Sequence, residues 1–331
     1  MALRVITIWH DVSSMITAGI PPSRQRVSMT TQFRGILALL VVTLVWGSTF
    51  PAMKGMTDYF SPAWIITIRF ALASVLLAPF LWKARRRDLQ SGALLGVVLF
   101  ASFMFQIQGL ALTSSNRNAF VTGLNVLIVP LLGILAGRMP PRRIFLALAL
   151  AIAGLVALCW DSGAWGKGDS LALAGAFCFG FYITMMEKRT QQAARLMALT
   201  AAQILTVGIC AAVWLLAREV PRSTIDASQD FSNYWQYVGR GIVQYGWNLA
   251  YLGIVATAAI ISLQSWGQAR TTANDAAVMY AFEPAAAALF GFFWLGEALT
   301  GRGWIGAALL ISGMIISQWN TARPAGALAP E

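Results

Sequence analysis

"TSSNRNAFV" occupies residues 113–121 and "RTTANDAAV" residues 270–278. Ser114–Ser115 fall against Thr271–Thr272, and Asn118 falls against Asp275. Each stretch then runs through apolar sequence to a proline, Pro130 or, after a three-residue slip, Pro284. Further pairs flank these two. "LLGVV" at 94–98 matches "YLGIV" at 251–255, and "RRIFLALALAIAGLV" matches "GRGWIGAALLISGMI", with Arg143 on Arg302 and Gly154 on Gly313. "WGSTFPAMK" at Trp46–Lys54 has a weaker echo in "FGFYITMMEK" at Phe179–Lys188, with Gly47 on Gly180. Such internal similarity marks a duplicated unit. The offset grows from 133 residues at Gly47–Gly180 to 157 at Gly96–Gly253. That growth of 24 is close to the length of an aromatic stretch found only in the second copy, residues 218–244.

Composition puts the duplicated unit in a membrane. Of 331 residues 58% are hydrophobic and 11% charged, too apolar and too charge-poor for a soluble domain. Apolar runs long enough to cross the hydrocarbon layer recur along the chain. They predict about ten helices: 36–53, 62–82, 92–113, 119–136, 144–160, 171–186, 196–217, 247–266, 276–295 and 303–319. A lone strand would leave its backbone unpaired in lipid, and the alternating pattern of a membrane barrel is absent. Five helices per copy is an odd number, so the two copies enter the membrane in opposite senses. The expected fold is all-α and integral to the membrane, with ten helices in two inverted five-helix repeats, an architecture of secondary transporters. The repeats are expected at 35–160 and 168–322, the second carrying the 218–244 stretch as an outer loop insertion. A cytoplasmic tail follows at 323–331. Residues 1–34 read as a disordered leader or, with Met29 as a second start, a misassigned one.

Charge orients the chain. With the N-terminus in the cytoplasm, 16 of the 24 Lys and Arg fall inside, 7 outside and one, Arg69, within a helix. Both termini are therefore expected in the cytoplasm of a bacterial-type inner membrane. The net charge of +11 belongs to these loops and implies no nucleic-acid partner. Tyr234, Trp235, Tyr237, Tyr245 and Trp247 suit the headgroup region and predict an interfacial helix, with a gating lid as the alternative.

"LVWGSTFPAMK", "TIRFALASVLLAP", "ALTSSNRNAFVTGLNVLIVPLLG" and "YAFEPAAAALFGFFWLGEALTGRGWIGAALLISGMII" resemble the EamA-like family of the drug/metabolite transporter superfamily. The resemblance spans roughly residues 35–320. It implies ten helices in two inverted copies. It also implies a central cavity lined by helices 1, 3, 4, 6, 8 and 9, and secondary transport of small metabolites, often export. Two departures stand out: Phe179 replaces Trp in the second "WG" motif, and "SSNRNA" is more polar than the family's usual Ala-rich stretch.

The candidate site comes from polar groups at membrane depth. Glu283, followed by Pro284, sits in the apolar stretch "VMYAFEPAAAALFGFFWLGE" at 278–297. An ionisable group there is costly and is by default a functional candidate. It suits proton coupling or a substrate ammonium; alternatively it satisfies carbonyls released by a proline kink. Arg69, in "IITIRFALAS", stays charged and either binds a substrate anion or braces helix 2 against carbonyls. Trp46, Thr49 and Phe50 share one helix face. Gln106, Thr122 and Asn125 in the first copy are mirrored by Tyr182, Gln264, Trp266, Gln268 and Tyr280 in the second. Together they describe a cavity with aromatic walls and a few amides, suited to a small amphiphilic solute.

The absences narrow the class. The only histidine is His10, and Cys159, Cys178 and Cys210 form no C-x-x-C, so no metal site, cofactor or histidine-driven catalysis is expected. No phosphate-binding glycine loop supports ATP-driven pumping. The expected protein is an exporter of a small organic metabolite, amino-acid-like because Arg69 and Glu283 offer opposite charges. The alternatives are a hydrophobic-cation or nucleoside-type exporter, a channel, or a non-transporting scaffold. Gly306 and Gly313 serve either packing within the chain or a homodimer seam.

Overall fold

The computed structural model describes residues 29–318 apart from residues 83, 138, 160–163, 220–230 and 296–300. Leader residues 1–28, loop residues 220–230 and the tail 323–331 therefore lie outside the described residues. Among those described, the chain is helical and has no strand. The first half contains α1 (Met29–Lys54), α2 (Pro62–Leu77, extended by a 3₁₀ turn Ala78–Leu81), α3 (Arg86–Leu112), α4 (Ser115–Gly123), α5 (Asn125–Leu135) and α6 (Arg142–Cys159). The second contains α7 (Lys167–Gln191), α8 (Leu196–Trp214, extended by a π-helical turn Leu215–Glu219), α9 (Phe231–Gln244), α10 (Gly246–Ala250), a longer π-helical stretch Tyr251–Ala259, α11 (Ile260–Gln268), α12 (Ala273–Tyr280), α13 (Glu283–Leu295) and α14 (Gly301–Gln318).

Seven helical spans among the described residues are long and apolar enough to cross a membrane. They are α1, α2, α3, α4 with α5, α7, α8, and α10 through α11. The apolar helix α6, the broken pair α12–α13 and the shorter α14 complete the bundle. Several helices outrun the apolar windows read from the sequence. α1 starts at Met29, α3 at Arg86, and α7 runs from Lys167 to Gln191. Their charged ends carry the backbone ladder past the apolar layer, where a hydropathy window no longer detects it.

Two of the predicted helices are broken in the middle. α4 gives way to α5 at Leu124, whose N–H donates to Val121 O at 3.2 Å. α12 gives way to α13 after Ala281 and Phe282, and Phe282 N–H donates to Met279 O at 3.1 Å. These tight i→i−3 bonds keep each break hydrogen-bonded. Pro284 falls in the first turn of α13, where a missing N–H removes no helix bond. The expected kink is thus a break one residue upstream of Glu283. The neighbouring N-caps are alike: Ser114 Oγ accepts from Arg117 N at 3.3 Å, and Thr272 Oγ1 accepts from Asp275 N at 3.1 Å.

These features correct the sequence register. Ser114 and Thr272, Leu124 and Phe282, and Val121 and Met279 are each 158 residues apart. Arg117, not Asn118, therefore stands opposite Asp275. The extra residue enters near Tyr251–Ala259, where the second half is π-helical while α3 is regular.

The helices pair in a reciprocal pattern. α3 packs on α7, and α11 packs on α1; α3 packs on α8, and the π-helical stretch packs on α2. α4 and α5 lie on α7, as α12 and α13 lie on α1. The broken helices cross each other, α4 against α13 and α5 against α12. α6 and α14 pack together at the side, where a Cβ on Gly154 would lie 2.8 Å from Gly306 O and one on Gly313 2.9 Å from Ala147 O. The Gly306–Gly313 face is therefore filled inside the chain and is not a free dimer seam.

The amphipathic helix α9 docks on the α1–α2 connection. Tyr59 and Tyr237 stack at 4.2 Å, and each hydroxyl donates to the other's backbone carbonyl, Tyr59 to Tyr237 O at 2.7 Å and Tyr237 to Tyr59 O at 3.3 Å. Trp64 Nε1 donates to Tyr234 Oη at 2.9 Å. The ring of Trp247 stays exposed.

The α3–α8 contact depends on Gly92, where a Cβ would sit 2.4 Å from Leu199 O and 2.6 Å from Ala202 Cβ. Gly92→Val should destabilise the fold by about 2 kcal/mol through overpacking. It should lower the unfolding temperature in detergent, whereas Gly55→Ala, with no atom near the new Cβ, should leave it unchanged. Equal melting of the two variants would contradict this packing.

Candidate functional site

A cavity of about 470 Å³, counting its open part, lies where the two broken helices cross. Most of it is narrow crevice between side chains. Ten of the thirteen residues singled out from the sequence line it: Trp46, Thr49, Arg69, Gln106, Thr122, Asn125, Tyr182, Gln264, Tyr280 and Glu283. Phe103, Phe179 and Ile183 complete the wall. Phe50 does not line it; one residue on from Thr49, it is turned about 100° round the helix and is buried in the apolar core. Trp266 is also outside, its ring 4.0 Å from the Arg270 guanidinium carbon. Gln268 is tied elsewhere, donating to Ile183 O at 3.3 Å.

The wall residues fall into pairs of constant spacing. Gln106 and Gln264, Thr122 and Tyr280, and Asn125 and Glu283 are each 158 apart. Trp46 and Phe179, and Thr49 and Tyr182, are each 133 apart. Asn125 and Glu283 are the first residues of α5 and α13, so each break delivers a polar side chain to the same chamber. The duplication also offered a signal for the missed Phe179, because it stands opposite Trp46. Phe103 and Ile183 carry no such signal among the many apolar residues at membrane depth.

Arg69 is 1% exposed and has no carboxylate at ion-pair distance among the described residues. Its Nε donates to Thr257 Oγ1 at 2.9 Å, and Nη1 lies 3.5 Å from Met53 Sδ. Phe103 and Phe70 lie near the guanidinium, 4.9 and 5.4 Å from its carbon to their ring centroids. A buried cation held by a hydroxyl and two rings is stabilised in part but lacks a counter-charge. Glu283 is half-buried, faces the same cavity, and makes no hydrogen bond or ion pair among the described residues. Arg69 and Glu283 thus line one chamber without a hydrogen bond or ion pair between them.

Other polar groups wait for partners there. Trp46 Nε1, Thr122 Oγ1 and Asn125 Oδ1 are buried and unpartnered. Tyr280 Oη faces the Gln264 amide but forms no hydrogen bond of good geometry. Buried polar atoms are normally satisfied by protein, water or ligand. Tyr182 is held differently, its hydroxyl lying 3.2 Å from Gln203 Oε1 and 3.4 Å from Gln264 Oε1. The rings of Trp46 and Tyr280 pack together in the wall, their centroids 5.6 Å apart.

The model of the EamA-like transporter family matches this chain twice, over residues 33–160 and 166–318. The chain belongs to that family. It is a multi-pass membrane protein of a transporter family, with a small-molecule substrate and a lipid surround. It is 29% identical over 255 residues to an uncharacterized transporter of Archaeoglobus fulgidus, covering 77% of this chain and 76% of that relative. A crystal structure at 16% identity superposes with a TM-score of 0.68, covering 88% of this EamA-like chain and 99% of the other. That likeness concerns the fold.

An unpaired buried charge should cost stability and be kept for function. Arg69→Met should therefore match or exceed the wild-type unfolding temperature while losing transport in reconstituted vesicles. A large drop in unfolding temperature would instead assign Arg69 to bracing.

Proposed function

We propose that this protein is a secondary transporter of small zwitterionic solutes of the amino-acid class, working by alternating access. The observation that carries the reading is that Arg69 and Glu283 line one chamber and form no ion pair with each other. A carboxylate suits the guanidinium fork, and an ammonium suits the Glu283 carboxyl. The unpartnered Trp46, Thr122 and Asn125 atoms add hydrogen bonds, and the aromatic wall accommodates a side chain. Glu283 is also the coupling residue, alternately holding a proton and the substrate ammonium.

The fold is read as ten membrane helices in two inverted copies, 35–160 and 168–322, with 218–244 inserted in the second. The doubled family match, the reciprocal helix pairs and the spacing of the cavity pairs support it. The crossing broken helices agree with transporter sites formed by discontinuous helices near the midplane. The distribution of Lys and Arg supports an inner-membrane protein with both termini in the cytoplasm, and export follows the family resemblance. A hydrophobic organic cation is the second reading, favoured by Trp46, Phe103, Phe179 and Tyr280 around a carboxyl, and opposed by Arg69.

A thermal-shift screen of purified protein against amino acids and organic cations tests the substrate class. Ligand at 100 times its dissociation constant should add about 2.7 kcal/mol. Amino acids should give a saturable shift that Glu283→Gln removes. A shift from cations lacking a carboxylate, with none from amino acids, would replace this reading by the second.

A further inference from the structure

The π-helical stretch Tyr251–Ala259 lies against α2, which carries Arg69. Nothing in the transport cycle as described requires it, and the matching helix of the first half, α3, is regular. π turns are rare and are found mostly at functional sites. This one has a definite consequence for one side chain. Serine and threonine hydroxyls in membrane helices ordinarily return to a carbonyl three or four residues back. Thr43, Thr184, Thr206 and Ser265 do so here. Thr257 instead donates to Leu252 O, five residues back, at 2.7 Å. With its proton committed there, Thr257 Oγ1 presents a lone pair to Arg69 Nε at 2.9 Å.

That contact decides which edge of the guanidinium is free. A carboxylate binds arginine through two parallel N–H groups, from either the Nε side or the Nη1–Nη2 end. Thr257 occupies Nε, and Phe103 packs near the guanidinium carbon, 4.9 Å from its ring centroid. At the Nη1–Nη2 end the one protein contact is the long one from Nη1 to Met53 Sδ, 3.5 Å, among the described residues, and Arg69 lines the cavity. We infer that the π-helical stretch is a positioning element, and that Thr257, through its hydrogen bond to Arg69, sets the cavity's preference for a carboxylate over the neutral ester of the same solute. This rests on the zwitterion reading. Thr257 itself lies outside the cavity wall, so it acts through Arg69.

The test is the ratio of affinities for an amino acid and its methyl ester. The proteinogenic amino acids are screened, and the best binder and its ester are then titrated calorimetrically. Wild type should prefer the free acid. Thr257→Val, of similar shape without the hydroxyl, should reduce that preference by about tenfold, the scale of one hydrogen bond to a charged group. Ester affinity should stay nearly constant, and Thr257→Ser should restore the ratio. If Thr257→Val does not yield folded protein, Thr257→Ala carries the same comparison. A wild-type ratio in the hydroxyl-free variant overturns the positioning role and leaves the zwitterion reading intact. Equal wild-type affinity for acid and ester, or no amino-acid binding, overturns both.

Discussion

In hydrocarbon a backbone N–H or C=O without a partner is so costly that irregular structure survives only where protein or a cavity surrounds it. That constraint governs the centre of this molecule. The chain interrupts two of the helices predicted to cross the membrane, at Leu124 and at Ala281–Phe282, and keeps both breaks hydrogen-bonded through i→i−3 turns. The interrupted helices cross each other in the interior, and Asn125 and Glu283 begin the two following half-helices. The cavity lies between them, lined by both residues. Glycine-mediated contacts hold the surroundings close: a Cβ on Gly47 would lie 2.5 Å from Ala286 Cβ, pressing α1 on α13 beside the break.

The related spacing of the wall residues makes the exceptions informative. Five pairs of lining residues are separated by 133 or 158 positions. Within them Thr122 corresponds to Tyr280, and neutral Asn125 corresponds to ionisable Glu283. Arg69 lies outside these pairs, on a helix beside the π-helical stretch that the first half lacks. A common frame thus builds the chamber, while a few unmatched residues give it polarity. On the function proposed here, the absence of a fixed Arg69–Glu283 pair leaves each group open to one end of a zwitterion.

Much of this was legible in the sequence because membrane helices advertise themselves by length and because polar residues stand out against an apolar background. Arg69, Gln106, Gln264 and Glu283 were visible for that reason, and they share one cavity. Phe50 and Trp266 were misplaced because aromatic residues are at home in core, cavity and interface alike; their direction depends on rotations that a sequence fixes only loosely. The break at Leu124 carries no proline or charge to announce it. The π turn was hidden because one added residue leaves composition and hydropathy unchanged, and it shifted the inferred register from 157 to 158. Helix caps such as Ser114 and Thr272 recover that register, since an N-cap hydroxyl marks a position along the chain and not merely a polarity.

Solute counterflow in proteoliposomes distinguishes a carrier of zwitterions from a carrier of amines. Vesicles preloaded with an unlabelled amino acid are diluted into a trace of the same labelled compound. Transient, saturable accumulation of label is expected for at least one zwitterionic amino acid, and none for its decarboxylated amine. Accumulation of the amine with no response to any amino acid would contradict it.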